Sequence, residues 1–264
     1  MWWIAVFAMA SWPLAAEDLF NGKDLGGWST FLVDTRKTDP RHVFSVTNGM
    51  IRISGDGLGY LATIRSFTNY HLTVEYRWGE LNSKWGDRIG KARDSGIFLH
   101  ATGPDGNSDD GGGAFMAAIE CNIFQGATGD FLLIRGKDKD GKPIAPRITA
   151  TVGEEKDQDG WFTWSEPGQA KTIERWGRVN WFNKDPEWRD VLDFRGRNDI
   201  ERPGWNTLEC ICRDGSIEIR LNGTAINRAT AAWPFGGKIL LQCEGSEIFF
   251  RRVGLRPPEQ AAPP

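Results

Sequence analysis

In the segment "HLTVEYRW" (71–78), apolar Leu72, Val74, Tyr76 and Trp78 interleave with His71, Thr73, Glu75 and Arg77. A period of two turns successive side chains to opposite faces of a strand, so one face is expected in a core and the other at a polar surface. "SIEIRL" repeats the pattern with Ile217, Ile219 and Leu221. Short runs rich in β-branched and aromatic residues recur to the end of the chain, among them "MIRIS", "YLATI", "SGIFLH", "AAIECNIF", "FLLIR", "NTLECICR", "KILLQC" and "EIFFRRVGL". None carries a sustained helical period. Asp-Gly at 105–106, 140–141 and 214–215 and Asn-Gly at 21–22, 48–49 and 222–223 suit turns that need positive φ. The pattern predicts an all-β fold, an antiparallel β-sandwich or jelly roll.

From about residue 135 to 204 the alternation weakens, and Trp, Pro and charged residues mix. This reads as a long loop excursion from the sheet, and loops of that length inside a compact domain are usually functional. Part of the set Trp161, Trp164, Trp176, Trp181 and Trp188 is expected to form a small core of its own there, with some of the set exposed to a ligand.

At 264 residues the chain suits one large domain. A formal net charge of -3 gives no electrostatic ground for nucleic acid or an anionic membrane as partner. The first sixteen residues, "MWWIAVFAMASWPLAA", are apolar and end in small residues before the polar "EDLF", as a secretory signal peptide does. The run is too short, and too interrupted by Pro13, for an integral membrane span. Export to the periplasm or the medium is therefore expected, with a mature domain at 17–264. Cys121, Cys210, Cys212 and Cys243 form no C-x-x-C pair, which argues against a sulfur-ligated metal. Cys210 and Cys212 share one strand face and are expected as buried thiols, although one disulfide is left open.

"LFNGKDLGGW" (19–28), "DSGIFLHATGPDG" (94–106), "IECNIFQGATGDFLLI" (119–134), "GWNTLECICRDGSIEIRLNG" (204–223) and "GKILLQCEGSEIFFRRVGLRP" (237–257), taken together, resemble the 3-keto-disaccharide hydrolase domain family. The resemblance runs over nearly all the mature chain and is weakest in the excursion. It implies a concanavalin A-like jelly roll exported by sugar-degrading bacteria. The implied substrate is a glycoside whose C3 hydroxyl a separate dehydrogenase has oxidised to a ketone, which makes that dehydrogenase the upstream pathway partner.

Retaining β-glucanases of the same fold carry the catalytic strand E-x-D-x-x-E, and the equivalent spacing here holds Glu120, Asn122 and Gln125. Retaining hydrolysis needs two carboxyl groups about 5–5.5 Å apart, and an amide can neither attack as an anion nor deliver a proton. Two-carboxylate chemistry would therefore need an acid from another strand. A 3-keto glycoside asks for less. The ketone acidifies the C2 proton, so one base, donors near the enolate oxygen and an acid for the leaving group suffice for elimination, and water adds afterwards.

With Ile119, Cys121 and Ile123 facing the core, Glu120 and Asn122 face outward. The same alternation sends His100 outward from "SGIFLH", and Glu75 and Arg77 outward from "HLTVEYRW". If these strands are neighbours in one sheet, the side chains converge on a concave face. Glu120, His100 and Glu75 are then the candidate catalytic groups, and Arg77, Asn122 and Gln125 the candidate substrate ligands. Asp130 reads as a turn cap in preference to a second acid, and Asp94 and Ser95 as fixing the start of a strand. No cofactor is required, although His100, Glu120 and Glu75 would offer a divalent ion nitrogen and oxygen ligands. The function expected is an exported enzyme that cleaves 3-keto-glycosides. The alternatives are a non-catalytic, lectin-like carbohydrate-binding domain and a conventional endo-β-glucanase. An oligosaccharide or glycoside is the expected ligand in every case.

Overall fold

A computed structural model describes residues 15–109, 112–157, 159–174, 176–181 and 200–258. Residues 1–14 of the expected signal peptide, and Trp188, lie outside the described residues. The fold is a two-layer antiparallel β-sandwich of the jelly-roll kind. The back layer runs Phe44–Thr47, Met50–Ile53, Ser246–Arg256, Tyr70–Asn82, Asn206–Arg213, Ser216–Leu221 and Thr224–Trp233, each strand antiparallel to the next. The front layer runs Trp28–Leu32, Leu58–Thr63, Lys238–Glu244, Asp94–Thr102, Ala117–Phe124 and Phe131–Ile134. Thr224–Trp233 also pairs with Arg147–Lys156 of the front layer, so the two layers join along that edge.

Alternation builds the core. Leu72, Val74 and Tyr76 of the back layer and Ile97, Leu99, Ile119, Cys121 and Ile123 of the front layer are fully buried in one cluster. At about 25 cal/mol per Å² of apolar surface removed from water, this shared interior is the main force holding the layers together. The hairpin turns are of the expected type, with Asp214 and Gly215 at φ 48° and 78° and Asn222 and Gly223 at φ 51° and 86°. The four cysteines are buried free thiols. Among the described residues no helix is long and apolar enough to cross a membrane.

The region from 135 to 204 departs from the expected loop. It contains the strands Arg147–Lys156, Phe162–Trp164, Gln169–Glu174 and Arg178–Asn180, which extend the front layer beyond Phe131–Ile134. Three of the tryptophans there join clusters already present rather than making one of their own. Trp164 and Trp181 pack on the main core, and Trp176 packs on an apolar patch of the front layer's outer face. Phe31, Tyr60, Phe98, Phe115 and Leu240 form that patch, with Phe115 laid over Phe98 at 5.5 Å between ring centroids. Half of the front face is thereby sealed, and the polar half beside it stays open.

Candidate active site

Three adjacent front strands build the open half. Lys238–Glu244 turns Gln242 and Glu244 away from the core, Asp94–Thr102 does so with Asp94 and Gly96, and Ala117–Phe124 with Glu120 and Asn122. The register sets Asn122 opposite Gly96 and Glu120 opposite Phe98. These residues floor a cavity of about 310 Å³, walled by Phe115, Phe124, Leu132 and Ile134 and reached by Arg88 and Arg178. Gly96 leaves the space that the Glu120 and Gln242 side chains occupy. A Cβ there would fall 2.3 Å from Glu120 Oε1 and 2.9 Å from Gln242 Oε1.

Asn122 ties the site together. Its Nδ2 reaches Asp94 Oδ1 at 3.0 Å and Glu120 Oε1 at 3.3 Å, and it also donates to the Ser95 carbonyl. Its Oδ1 accepts from Arg178 Nη2 at 3.3 Å. Two carboxylates from neighbouring strands thus meet at one amide nitrogen. Arg178 is anchored by the fully buried Asp130, with Nη2 to Oδ2 at 2.6 Å. Burial alone would lower the pKa of the Arg178 guanidinium, but the charge and hydrogen bond of Asp130 outweigh it and hold the group above its ordinary value. Arg88 stands 3.7 Å from Asp94 on the other side.

The structure gathers only part of the expected set. Glu120 and Asn122 share the cavity, both buried. Gln125 does not line it: its side-chain oxygen accepts from the Arg93 backbone N–H, and its own N–H donates to the Arg93 carbonyl, which closes the end of the strand pair. Glu75 and Arg77 lie on the outer face of the back layer, across the core from Glu120. There Glu75 pairs with Arg251, and Arg77 stacks on Phe249 and Trp205. The expectation that these strands were neighbours is corrected: Tyr70–Asn82 pairs with Asn206–Arg213 and Ser246–Arg256.

His100 is corrected too. It takes φ 58°, and the register shifts between Leu99 and Thr102. Such a bulge re-aims the side chain, and the ring lies edge-on to the core residue Tyr70, with Nδ1 2.8 Å from the Pro234 carbonyl oxygen. Burial pushes its pKa down to about 4, only partly offset by that carbonyl. His100 and Glu120 therefore face opposite sides of one sheet. His100, Glu120 and Glu75 do not meet and cannot ligate one ion together.

Sequence reasoning missed Gln242, Glu244, Arg88 and Arg178, and gave Asp94 only a structural role. Gln242 and Glu244 flank the inward Cys243, so alternation alone would have turned them outward. Asp130, read as a turn cap, instead accepts from the distant Trp181 backbone N–H at 3.0 Å and anchors Arg178. A second cavity of about 490 Å³ lies at the edge where the layers join, lined by Arg213, Arg220, Arg228, Glu166 and Glu218 among others. Its Arg228 is paired with both glutamates.

The family model described as the 3-keto-alpha-glucoside-1,2-lyase-like domain matches residues 15–256. No curated protein matches the chain. Among solved structures, a glycosyl hydrolase candidate of Parabacteroides distasonis is 15% identical over 93% of this chain and 94% of its own, with a TM-score of 0.50. The β-glucanase of Bacillus licheniformis is 14% identical over 92% and 98%, with a TM-score of 0.45. The carbohydrate-binding module CBM66 of Bacillus subtilis is 11% identical over 86% and 93%, at 0.44.

Proposed function

Because the chain belongs to the 3-keto-alpha-glucoside-1,2-lyase-like domain family, we propose that this carbohydrate-active protein is an enzyme that cleaves 3-keto-glycosides by elimination across C1 and C2. The observation that carries the reading is the meeting of Glu120 and Asp94 at the Asn122 amide, beside the fixed cation Arg178. Glu120 is the base. It takes the C2 proton, and the C2–H electrons pass into the C2–C3 bond while charge gathers on the C3 oxygen. Arg178 stabilises that charge, a role suited to a donor held in place before the reaction, and Asn122 positions Glu120, Asp94 and Arg178 around it. The carbonyl then re-forms and the C1–O bond breaks, with its electron pair leaving on the aglycone oxygen. Asp94 is the group that hands that oxygen a proton. Water adding across C1 and C2 yields the free keto sugar.

A second reading draws support from Asp94. It supplies from a neighbouring strand the acid that Asn122 and Gln125 cannot, and so allows direct two-carboxylate hydrolysis. Incubation in D2O with 3-keto-glucosides and with the unoxidised parents separates the two. Elimination releases aglycone from the oxidised substrates alone and leaves deuterium at C2, and Glu120→Gln lowers the rate at least about a hundredfold. Cleavage of the parent sugars without deuterium at C2 would establish hydrolysis. Binding of sugar with no turnover would establish a non-catalytic carbohydrate-binding domain.

The supply of such a substrate requires an upstream oxidation of a sugar C3 hydroxyl. Export of the chain is proposed on its N-terminal apolar run, and cell fractionation with N-terminal sequencing of the recovered protein tests it.

A further inference from the structure

Gln242 is 2% exposed, and its Oε1 has no hydrogen-bond partner among the described residues. An orphaned acceptor inside a polar cavity costs free energy and is uncommon in a native fold. Its orientation is imposed. Nε2 donates to Glu244 Oε2 at 2.6 Å, so the nitrogen faces Glu244 and the oxygen faces the other way. That way leads to the space over Gly96, where Glu120 Oε1 also lies. Two acceptors share one small volume, and nothing among the described residues donates to Gln242 Oε1 there.

We propose that Gln242, aimed by Glu244, accepts a hydrogen bond from the hydroxyl on C2 of the substrate. The inference rests on the elimination reading for the identity of the carbon. C2 carries both the hydrogen that Glu120 removes and one hydroxyl, so a base and an acceptor over the same glycine fit the two substituents of a single carbon. The pairing also turns the C2–H bond toward the base, so that proton removal starts from an aligned geometry. Arg178, on the opposite side of Glu120 from Gln242, faces the adjoining C3 oxygen. The site is thereby specific for sugars bearing a C2 hydroxyl. Such a site rejects the analogue lacking it, because Gln242 would again be left without a donor.

The test compares methyl 3-keto-glucoside with its 2-deoxy counterpart, which keeps acidic C2 hydrogens but lacks the hydroxyl. Wild type is expected to favour the 2-hydroxy substrate in kcat/KM by about tenfold or more. Gln242→Met should lose that preference by slowing far more on the 2-hydroxy substrate than on the 2-deoxy one. Glu244→Gln, which leaves the amide in place but free to turn, should lose the same preference in smaller measure. It also covers the case in which Gln242→Met fails to fold, with thermal unfolding reporting the fold of each. Equal loss on both substrates, or no preference in wild type, would overturn the assignment and leave the lyase reading intact. Calorimetric binding of both sugars to the Glu120→Gln protein separates the reverse case. A Gln242-dependent preference for the 2-hydroxy sugar, without turnover in wild type, would retain the assignment and remove the lyase reading. No binding of either sugar would remove both.

Discussion

Gly96 lies so close to Glu120 that a Cβ built on it would stand 2.3 Å from the Glu120 carboxylate oxygen. The atoms in the way, Glu120 Oε1 and Gln242 Oε1, are the ends of flexible side chains rather than backbone, so the fold can absorb an added methyl by moving the site. Gly96→Ala is expected to keep its unfolding midpoint within a few degrees of wild type while kcat/KM on a 3-keto-glucoside falls about a hundredfold, the scale of a 1 Å misplacement of a reacting group. A fully active Gly96→Ala protein would show that the position of Glu120 is not critical.

The Asp130–Arg178 pair gives a second prediction. Asp130 is fully buried, whereas Arg178 reaches the cavity with a fifth of its side chain exposed. Removing the arginine strands a carboxylate in the interior, and breaking a buried pair in that way typically costs about 3–5 kcal/mol. Arg178→Met should therefore lose stability on that scale in denaturant unfolding. Asp130→Asn should lose less, because the freed guanidinium can turn toward solvent. Both should lose activity, and the reverse order of stabilities would mean that the cation is the more deeply enclosed partner.

How far the site was legible follows from what local pattern can encode. The outward placement of Glu120 and Asn122 follows from the inward Ile119, Cys121 and Ile123, and the sandwich follows from many such alternations. Glu75 and Arg77 obey the same rule yet belong to the other layer, because alternation fixes which face a side chain takes within a sheet and says nothing about which sheet holds the strand. Gln242 sits beside Gly96 only because Lys238–Glu244 pairs with Asp94–Thr102, a pairing between strands distant in sequence. His100 defeats the pattern by a bulge at a single residue. In the 135–204 region, Ile148, Ala150 and Val152 alternate with Thr149 and Thr151 as a strand should, but the surrounding charges and tryptophans masked the signal.

His100 supplies a pH prediction with a definite sign. Its folded pKa of about 4 lies below the ordinary 6.5, so the fold holds the ring neutral. Its contribution is fully present above pH 6.5 and is lost as pH falls toward 4, where the unfolded chain binds a proton that the folded chain refuses. His100→Asn keeps a residue tolerant of positive φ. Its unfolding midpoint should fall less than that of wild type between pH 6.5 and 4, and its activity on a 3-keto-glucoside should stay within a few-fold of wild type. A loss of a hundredfold or more with stability unchanged would return the ring to the chemistry.

Glu201 carries the opposite sign. Its carboxylate accepts from the Gly126 backbone N–H at 2.8 Å and from Thr128 Oγ1 at 3.3 Å, in the turn that joins Ala117–Phe124 to Phe131–Ile134. Burial raises its pKa from 4.5 to about 7, although those donors hold it down. Between these two values the unfolded chain releases a proton that the folded chain keeps, so the stability this group contributes is fully present below pH 4.5 and is lost as pH rises to 7. Glu201→Gln retains an acceptor for Gly126 without the titration. Subtracting its unfolding midpoints from those of wild type across pH 4.5 to 8 should give a difference that declines through the window and levels off above it. Because Glu201 faces Tyr76, Trp78 and Thr128 rather than the cavity, kcat measured at a temperature where both proteins are folded should not follow that decline. A difference that rises with pH would mean that Glu201 is ionised in the native protein and that its hydrogen bonds outweigh its burial.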